Sequence, residues 1–308
     1  MKKLLKTTLL IAAVAVLTVS CTKRENDDSN VPSNGRTYVE FSSNIVSMDP
    51  IGKAIGETWG ENDDIGIYMF EEASLNVVEN TENVPYTTVS GGQTGQFSPK
   101  GRVIFFPDNG SKVRFMAYYP YTSAVSSNIY KVNVSNQAVQ SNIDLLYSFD
   151  KEAAYDKKTP NKKVPLTFDH KLTKVIVNVK AGTGLEDADL DNLDIHFFGL
   201  NTNVDFDLID GSFSNYSGDA NIIPASIDPK QGYHKGYEAI LLPTTEIPAT
   251  GKIIFDLSNG SLFSWNFNRA LNSGSKYTFN VTINRSGIVV EATINDWDHI
   301  AEDDIIAE

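Results

Sequence analysis

The 308-residue chain contains a single cysteine, four histidines, three tryptophans and four methionines, and acidic residues outnumber basic ones by 39 to 26. One cysteine cannot form an internal disulfide, so stability must come from burial and backbone pairing. His170, His196, His234 and His299 lie far apart, and none falls in an H-x-E, H-E-x-x-H or H-x-H pair. With no second thiol either, zinc chemistry and cysteine-histidine nucleophilic catalysis lack their residues. No G-x-S-x-G elbow is present, so the serine-hydrolase pattern is also missing. A net charge of -13 repels phosphate backbones, which argues against nucleic-acid binding. Nothing points to a cofactor. Asp63-Asp64 and the acids between 186 and 191 lack the spacing of a preformed calcium loop and read as solvated charge.

Long apolar runs are missing too, and the longest one lies at the start. Lys2, Lys3 and Lys6 precede an apolar stretch at 9–19, followed by Ser20 and Cys21. Eleven positions fall short of the ~20 that a spanning helix needs. The pattern is that of an export signal over 1–20, with Cys21 at the cleavage position as the residue to be lipidated. Thr18 stands where a lipobox usually has leucine. Ordinary secretion is the alternative. Residues 22–35 hold charges, Pro32 and three asparagines around one aliphatic residue, Val31, so 21–36 reads as a tether. Removing 1–20 takes away three lysines and no acids, moving the net charge from -13 to -16. Membrane attachment would then come from lipid on Cys21.

What remains is written in period two. Tyr277, Phe279, Val281 and Ile283 alternate with Thr278, Asn280 and Thr282, placing one strand face in a core. Residues 253–257 and 262–267 flank Ser258-Asn259-Gly260-Ser261, a hairpin signal. Short β-rich runs recur at 103–106, 113–119, 129–134, 166–168 and 175–179, separated by Pro, Gly, Asn, Asp and Ser. No window offers a long capped amphipathic helix, and 185–193 supports at most a short acidic turn. The fold class is therefore all-β, a sandwich or barrel. A charged stretch at 150–164 reads as a boundary between domains at 37–160 and 161–308, or as a surface loop within one domain.

Four segments carry a family resemblance. Trp59-Gly60-Glu61-Asn62-Asp63-Asp64-Ile65-Gly66-Ile67-Tyr68-Met69 resembles W-x-x-x-D-x-I-G-V-Y-M of the fimbrillins, the type V pilus subunits of Bacteroidota. Phe115-Met116-Ala117-Tyr118-Tyr119-Pro120-Tyr121 is similar to F-x-A-Y-Y-P-Y, and the stretch from Val164 to Leu172 to V-x-L-x-F-x-H-x-L. The C-terminal stretch from Gly274 to Trp297 resembles G-x-x-Y-x-F-x-V-T-I, G-I and I-x-D-W.

The resemblance implies two tandem transthyretin-like β-sandwich domains, exported as a lipidated precursor to the outer-membrane surface. It also implies assembly with other fimbrial subunits by strand exchange: a protease cuts after the first strand, that strand leaves, and a neighbour's terminal segment fills the groove. Here the candidate removable strand carries Tyr38, Val39, Phe41, Ile45 and Val46. Many shaft subunits have arginine where this chain has Lys53, so cleavage at Lys53, at Arg36 or not at all stays open. The donor is either the tail at 298–308, with Ile300, Ile305 and Ile306, or the strand at 288–294. A stand-alone surface lipoprotein binding a glycan or host protein, with Tyr119 and Tyr121 as the sugar-stacking residues, is the competing function.

Overall fold

The computed structural model describes residues 35–45, 58–246, 248–267 and 269–296. Cys21, Val46, Lys53 and the tail at 298–308 lie outside them.

The chain is all-β. In order its strands are β1 (Glu40–Ile45), β2 (Asp64–Glu71), β3 (Val84–Thr88), β4 (Thr94–Pro99), β5 (Val113–Tyr119), β6 (Ile129–Asn133), β7 (Leu146–Phe149), β8 (Lys163–His170) and β9 (Thr173–Ala181). There follow β10 (Asp194–Phe198), β11 (Asn203–Asp207), β12 (Phe213–Ser217), β13 (Ala225–Ile227), β14 (Lys235–Leu241), β15 (Lys252–Asp256), β16 (Leu262–Asn266), β17 (Ser275–Asn284) and β18 (Gly287–Asp296). A 3₁₀ turn at Asp187–Leu190 carries a reciprocal capping box between Glu186 and Asp189, which accounts for the acids at 185–193.

Seven strands close a barrel in the order β1-β4-β3-β2-β5-β7-β8, and the closing contact is a parallel pair between β1 and β8. The remaining strands form two three-stranded sheets, β10-β15-β16 and β12-β11-β6, and a five-stranded sheet, β13-β14-β9-β17-β18. The hairpin read from Asn259-Gly260 is present between β15 and β16, with Gly260 at φ +82°. Residues 103–106, read as a strand, contribute only the bridge between Phe105 and Tyr38.

Two buried apolar clusters fill the molecule. One spans Val39 to Phe168 inside the barrel; the other reaches from Tyr68 to Ala292. β2 and β5 serve both. Ile65, Ile67 and Met69 of β2 face the barrel interior while Tyr68 and Phe70 join the second cluster, so nearly the whole strand is buried. β5 divides likewise, with Phe115, Ala117 and Tyr119 inside the barrel and Met116 and Tyr118 outside it. Gly66 is needed where these strands pair: a Cβ there would lie 2.3 Å from the ring of Tyr118.

Pairing crosses the expected boundary at 160/161 in both directions. β8, which follows it, closes the barrel against β1, and β6, which precedes it, pairs with β11. Among the described residues no helix is long and apolar enough to cross a membrane.

Candidate functional site

β1 forms because its residues alternate. Val39, Phe41, Ser43 and Ile45 point inward at 2–8% exposure, and Glu40, Ser42 and Asn44 point away from the core. Both edges are paired, antiparallel to β4 through Phe41–Phe97 and Ser43–Gly95, and parallel to β8 through Phe41–Val164 and Ile45–Phe168. Just ahead of the strand, the Val39 amide donates to the Ile104 carbonyl and the Phe106 amide to the Thr37 carbonyl, both at 2.9 Å. The strand thus lies in a trough walled by β4 and β8.

The floor of the trough is aromatic. The Phe41 ring meets Tyr86 and Phe115 edge to face, each at 5.2 Å between centroids. Trp59 makes the same kind of contact with Phe97, Tyr119 and Phe168 at 5.1–5.6 Å. Burial of Val39, Phe41 and Ile45 contributes about 5–9 kcal/mol of gross hydrophobic free energy, at ~1.5–3 kcal/mol each. An empty trough would expose that apolar surface and two unpaired backbone edges.

Two of the sequence-read site residues sit beside the entrance. Tyr38 donates its hydroxyl to Glu40 at 3.0 Å, and the Lys162 ammonium stands 4.5 Å from the centre of its ring. Arg36 is ion-paired with Glu79 at 2.5 Å and faces Asp108 at 3.5 Å, with its guanidinium 4.9 Å from the Phe105 ring centre. The Glu79 hydrogen bond, joined by both carboxylate charges, raises the Arg36 pKa further. Arg36 is therefore tied into the fold, about 30% exposed.

At the far end of β1, a cavity of about 310 Å³ is lined by Ile45, Trp59, Asp63, Tyr119, Asp144 and Lys174, among others. Asp63 accepts from the Gly60 amide at 2.6 Å and from the Tyr119 hydroxyl at 3.2 Å. Burial raises its pKa, which those two donors partly offset. Desolvation pushes the Tyr119 phenol up as well, with the Asp63 charge adding to it. Tyr118 is fully buried and Tyr119 nearly so, which is core packing rather than an exposed sugar-stacking face; Tyr121 is half-buried against the second cluster.

The described histidines do not converge. His170 is buried with Nδ1 3.0 Å from Asp144, rather than with its sequence neighbour Asp169, and His234 lies 3.0 Å from Asp191. Among the described residues, no group of three or more His, Cys, Asp or Glu side chains is arranged to hold a metal. The residues that wall the trough, above all Gly95 on β4, were not visible as site residues. Thr94-Gly95-Gln96-Phe97 is too polar to announce a barrel strand.

The described residues form an all-β protein whose first strand lies in a two-edged trough, and the comparisons say to which class it belongs. Residues 52–297 match the fimbrillin-like family, and the chain belongs to it. It is 31% identical over 304 residues, 95% of each chain, to a Bacteroides uniformis protein provisionally named fimbrium subunit Fim1C. It also resembles a crystal structure from B. uniformis ATCC 8492, provisionally described as a cell adhesion protein. That likeness has a TM-score of 0.71 and 30% identity, covering 87% of this chain and all of the other. A similarly described protein from Bacteroides ovatus ATCC 8483 shares the fold at a TM-score of 0.67 and 22% identity, over 87% of this chain and 99% of the other. The chain is thus a fimbrial subunit, a component of a cell-surface appendage.

Proposed function

We propose that the chain is made as a precursor lipidated on Cys21, held at the outer membrane on the cell surface, and polymerised with other fimbrial subunits by donor-strand exchange. In this reading β1 is a placeholder. Cleavage after it, at Lys53, frees the strand, and a segment of a neighbouring subunit takes over its two ladders and its inward apolar positions, whereas the alternative cut at Arg36 lies ahead of β1 and sheds only the lipidated tether. The role is structural and adhesive, not catalytic. Two tandem transthyretin-like domains remain part of the proposal, with β8 joined to the first through β1 and β6 joined to the second through β11.

The observation that carries this reading is that β1 is paired on both edges and buried along one face, so that a single strand occupies a complete two-edged trough. Withdrawal leaves a defined vacancy that only another strand can fill.

Intact mass spectrometry with N-terminal sequencing, on protein from its own cells, tests the processing step. An N-terminus just after Lys53 is the expected result; an N-terminus just after Arg36, which leaves β1 attached, or a diacylated or triacylated Cys21 on an uncut chain in assembled fibres would overturn it. Size-exclusion chromatography of trypsin-nicked protein tests the exchange, which predicts a rise in oligomeric state.

A second reading, a stand-alone lipoprotein that binds a glycan, draws on the cavity beside Tyr119. It requires glycan-array binding that is lost in Tyr119→Ala.

A further inference from the structure

Ser43 is an odd residue at the centre of an apolar face. It is 2% exposed, between Phe41 and Ile45, and its hydroxyl has no hydrogen-bond partner. A buried hydroxyl without a partner is a cost, so polarity is not what suits serine to this position. Size is. Ser43 stands opposite Gly95 on β4, and a Cβ on Gly95 would lie 2.7 Å from Ser43 Oγ and 3.0 Å from both the Phe97 and Trp59 rings. Ser43 Oγ and the two rings converge on the one point above Gly95, so a larger side chain at 43 would be pressed toward the rings. The positions on either side, by contrast, accept Phe41 and Ile45.

We infer that the trough reads the register of any strand that occupies it through a steric key: Gly95, Phe97 and Trp59 admit only a small side chain at the position Ser43 now holds. The inference rests on the strand-exchange reading above for its use in assembly, but the key itself acts on β1 already. A one-residue slip would turn the apolar set outward, and a two-residue slip would drive Phe41 or Ile45 into the key. Only one alignment of a strand with large, large, small, large inward residues survives.

The key also selects an occupant. β18 is the outer strand of its sheet, paired with β17 alone, and reads Ile288, Val290, Ala292, Ile294 at alternate positions, which pack on the second cluster and would have to leave it on transfer. Laid along the trough in the direction of β1, these fall at positions 39, 41, 43 and 45, with Ala292 on the key. The tail does not match: aligning Ile300 or Ile305 puts Asp or Glu at inward positions. The partner that fits is therefore β18 of a second copy. Val290 underfills the Phe41 position, so β18 binds more weakly than β1 itself.

Two experiments separate the key from the exchange. In the intact chain, Ser43→Ala is expected to keep or raise the urea midpoint, and Gly95→Ala to lower it, with part of the loss restored when Ser43→Ala is added. Additive effects would overturn the key. In the nicked chain, synthetic peptides of residues 37–46 and 287–296 are expected to bind, and Ala292→Leu in the second to weaken binding at least tenfold. Equal binding of the leucine peptide would overturn the key. Failure of both parent peptides would overturn the exchange reading, leaving the Ser43 and Gly95 pair to decide the key alone.

Discussion

Gln137 holds the backbone of Ile240 as a strand would: its Oε1 accepts from the Ile240 amide at 2.8 Å and its Nε2 donates to the Ile240 carbonyl at 2.8 Å. β13 covers only the start of β14, pairing at 236–238, and Gln137 seals the edge that β13 leaves open. The same Nε2 donates to the Val134 carbonyl at 2.7 Å, so one side chain joins the segment after β6 to the five-stranded sheet. Gln137 is 4% exposed, and Gln137→Leu removes three bonds to the backbone and the one its Oε1 accepts from Gln140 Nε2, leaving buried peptide groups bare. A loss of about 2–4 kcal/mol is expected in urea unfolding. A loss below ~1 kcal/mol would mean that water replaces the side chain.

Gly66→Ala brings a methyl into the Tyr118 ring. The ring is fixed by hydrogen bonds from its hydroxyl to Asn83 at 2.7 Å and to the Thr122 carbonyl at 2.9 Å, so it cannot turn aside. The expected cost is about 1–3 kcal/mol, typical of overpacking. A double-mutant cycle with Tyr118→Leu should then show a coupling of about 1 kcal/mol or more.

Phe41→Ala should cost about 3–5 kcal/mol, the usual range for a core phenylalanine. Because the loss falls on the strand proposed to leave, hydrogen exchange along β1 should rise more than along β17. Uniform exchange across both strands would mean that β1 opens only with the whole fold.

The Lys131–Asp205 pair links β6 to β11 at 2.6 Å, and Asn215 adds a bond to the same carboxylate at 2.9 Å. The Lys131 hydrogen bond is the main cause that lowers the Asp205 pKa. A depressed carboxylate stabilises the fold above its unfolded pKa and loses that contribution as pH falls through the folded value. Lys131→Met is therefore expected to be less stable than the parent at pH 7, by ~0.2–1 kcal/mol for so exposed a pair. The two should converge near pH 2, as followed by urea midpoints; a constant gap would assign the effect to packing.

Much of this fold was legible where one face is wet. β15, β16 and β17 alternate in the sequence and appear where alternation put them. β2 and β5 lost their alternation because both faces are covered, and only the family resemblance marked β2. β3 and β4 escaped because Pro85, Thr87, Thr94 and Gln96 give little apolar signal, although their neighbours Tyr86 and Phe97 are core residues. Residues 103–106 misled in the other direction, since an apolar run can be buried by a single bridge. The parallel meeting of β1 and β8 had no local sign, because no turn connects them. That is why 160/161 looked like a place to divide the chain, and why Gly95 did not look like part of a site.

That meeting also bears on how the barrel comes into being. Glu40 pairs with Lys163, so the seam spans some 120 residues of chain. Closing so long a loop costs entropy before any contact repays it, and non-local pairings of this kind form late. The β1–β8 seam is therefore expected to be the last pairing of the barrel to form. In the strand-exchange reading proposed above, the covalent attachment of β1 raises its effective concentration at its own trough and so disfavours capture of a neighbour's strand before cleavage.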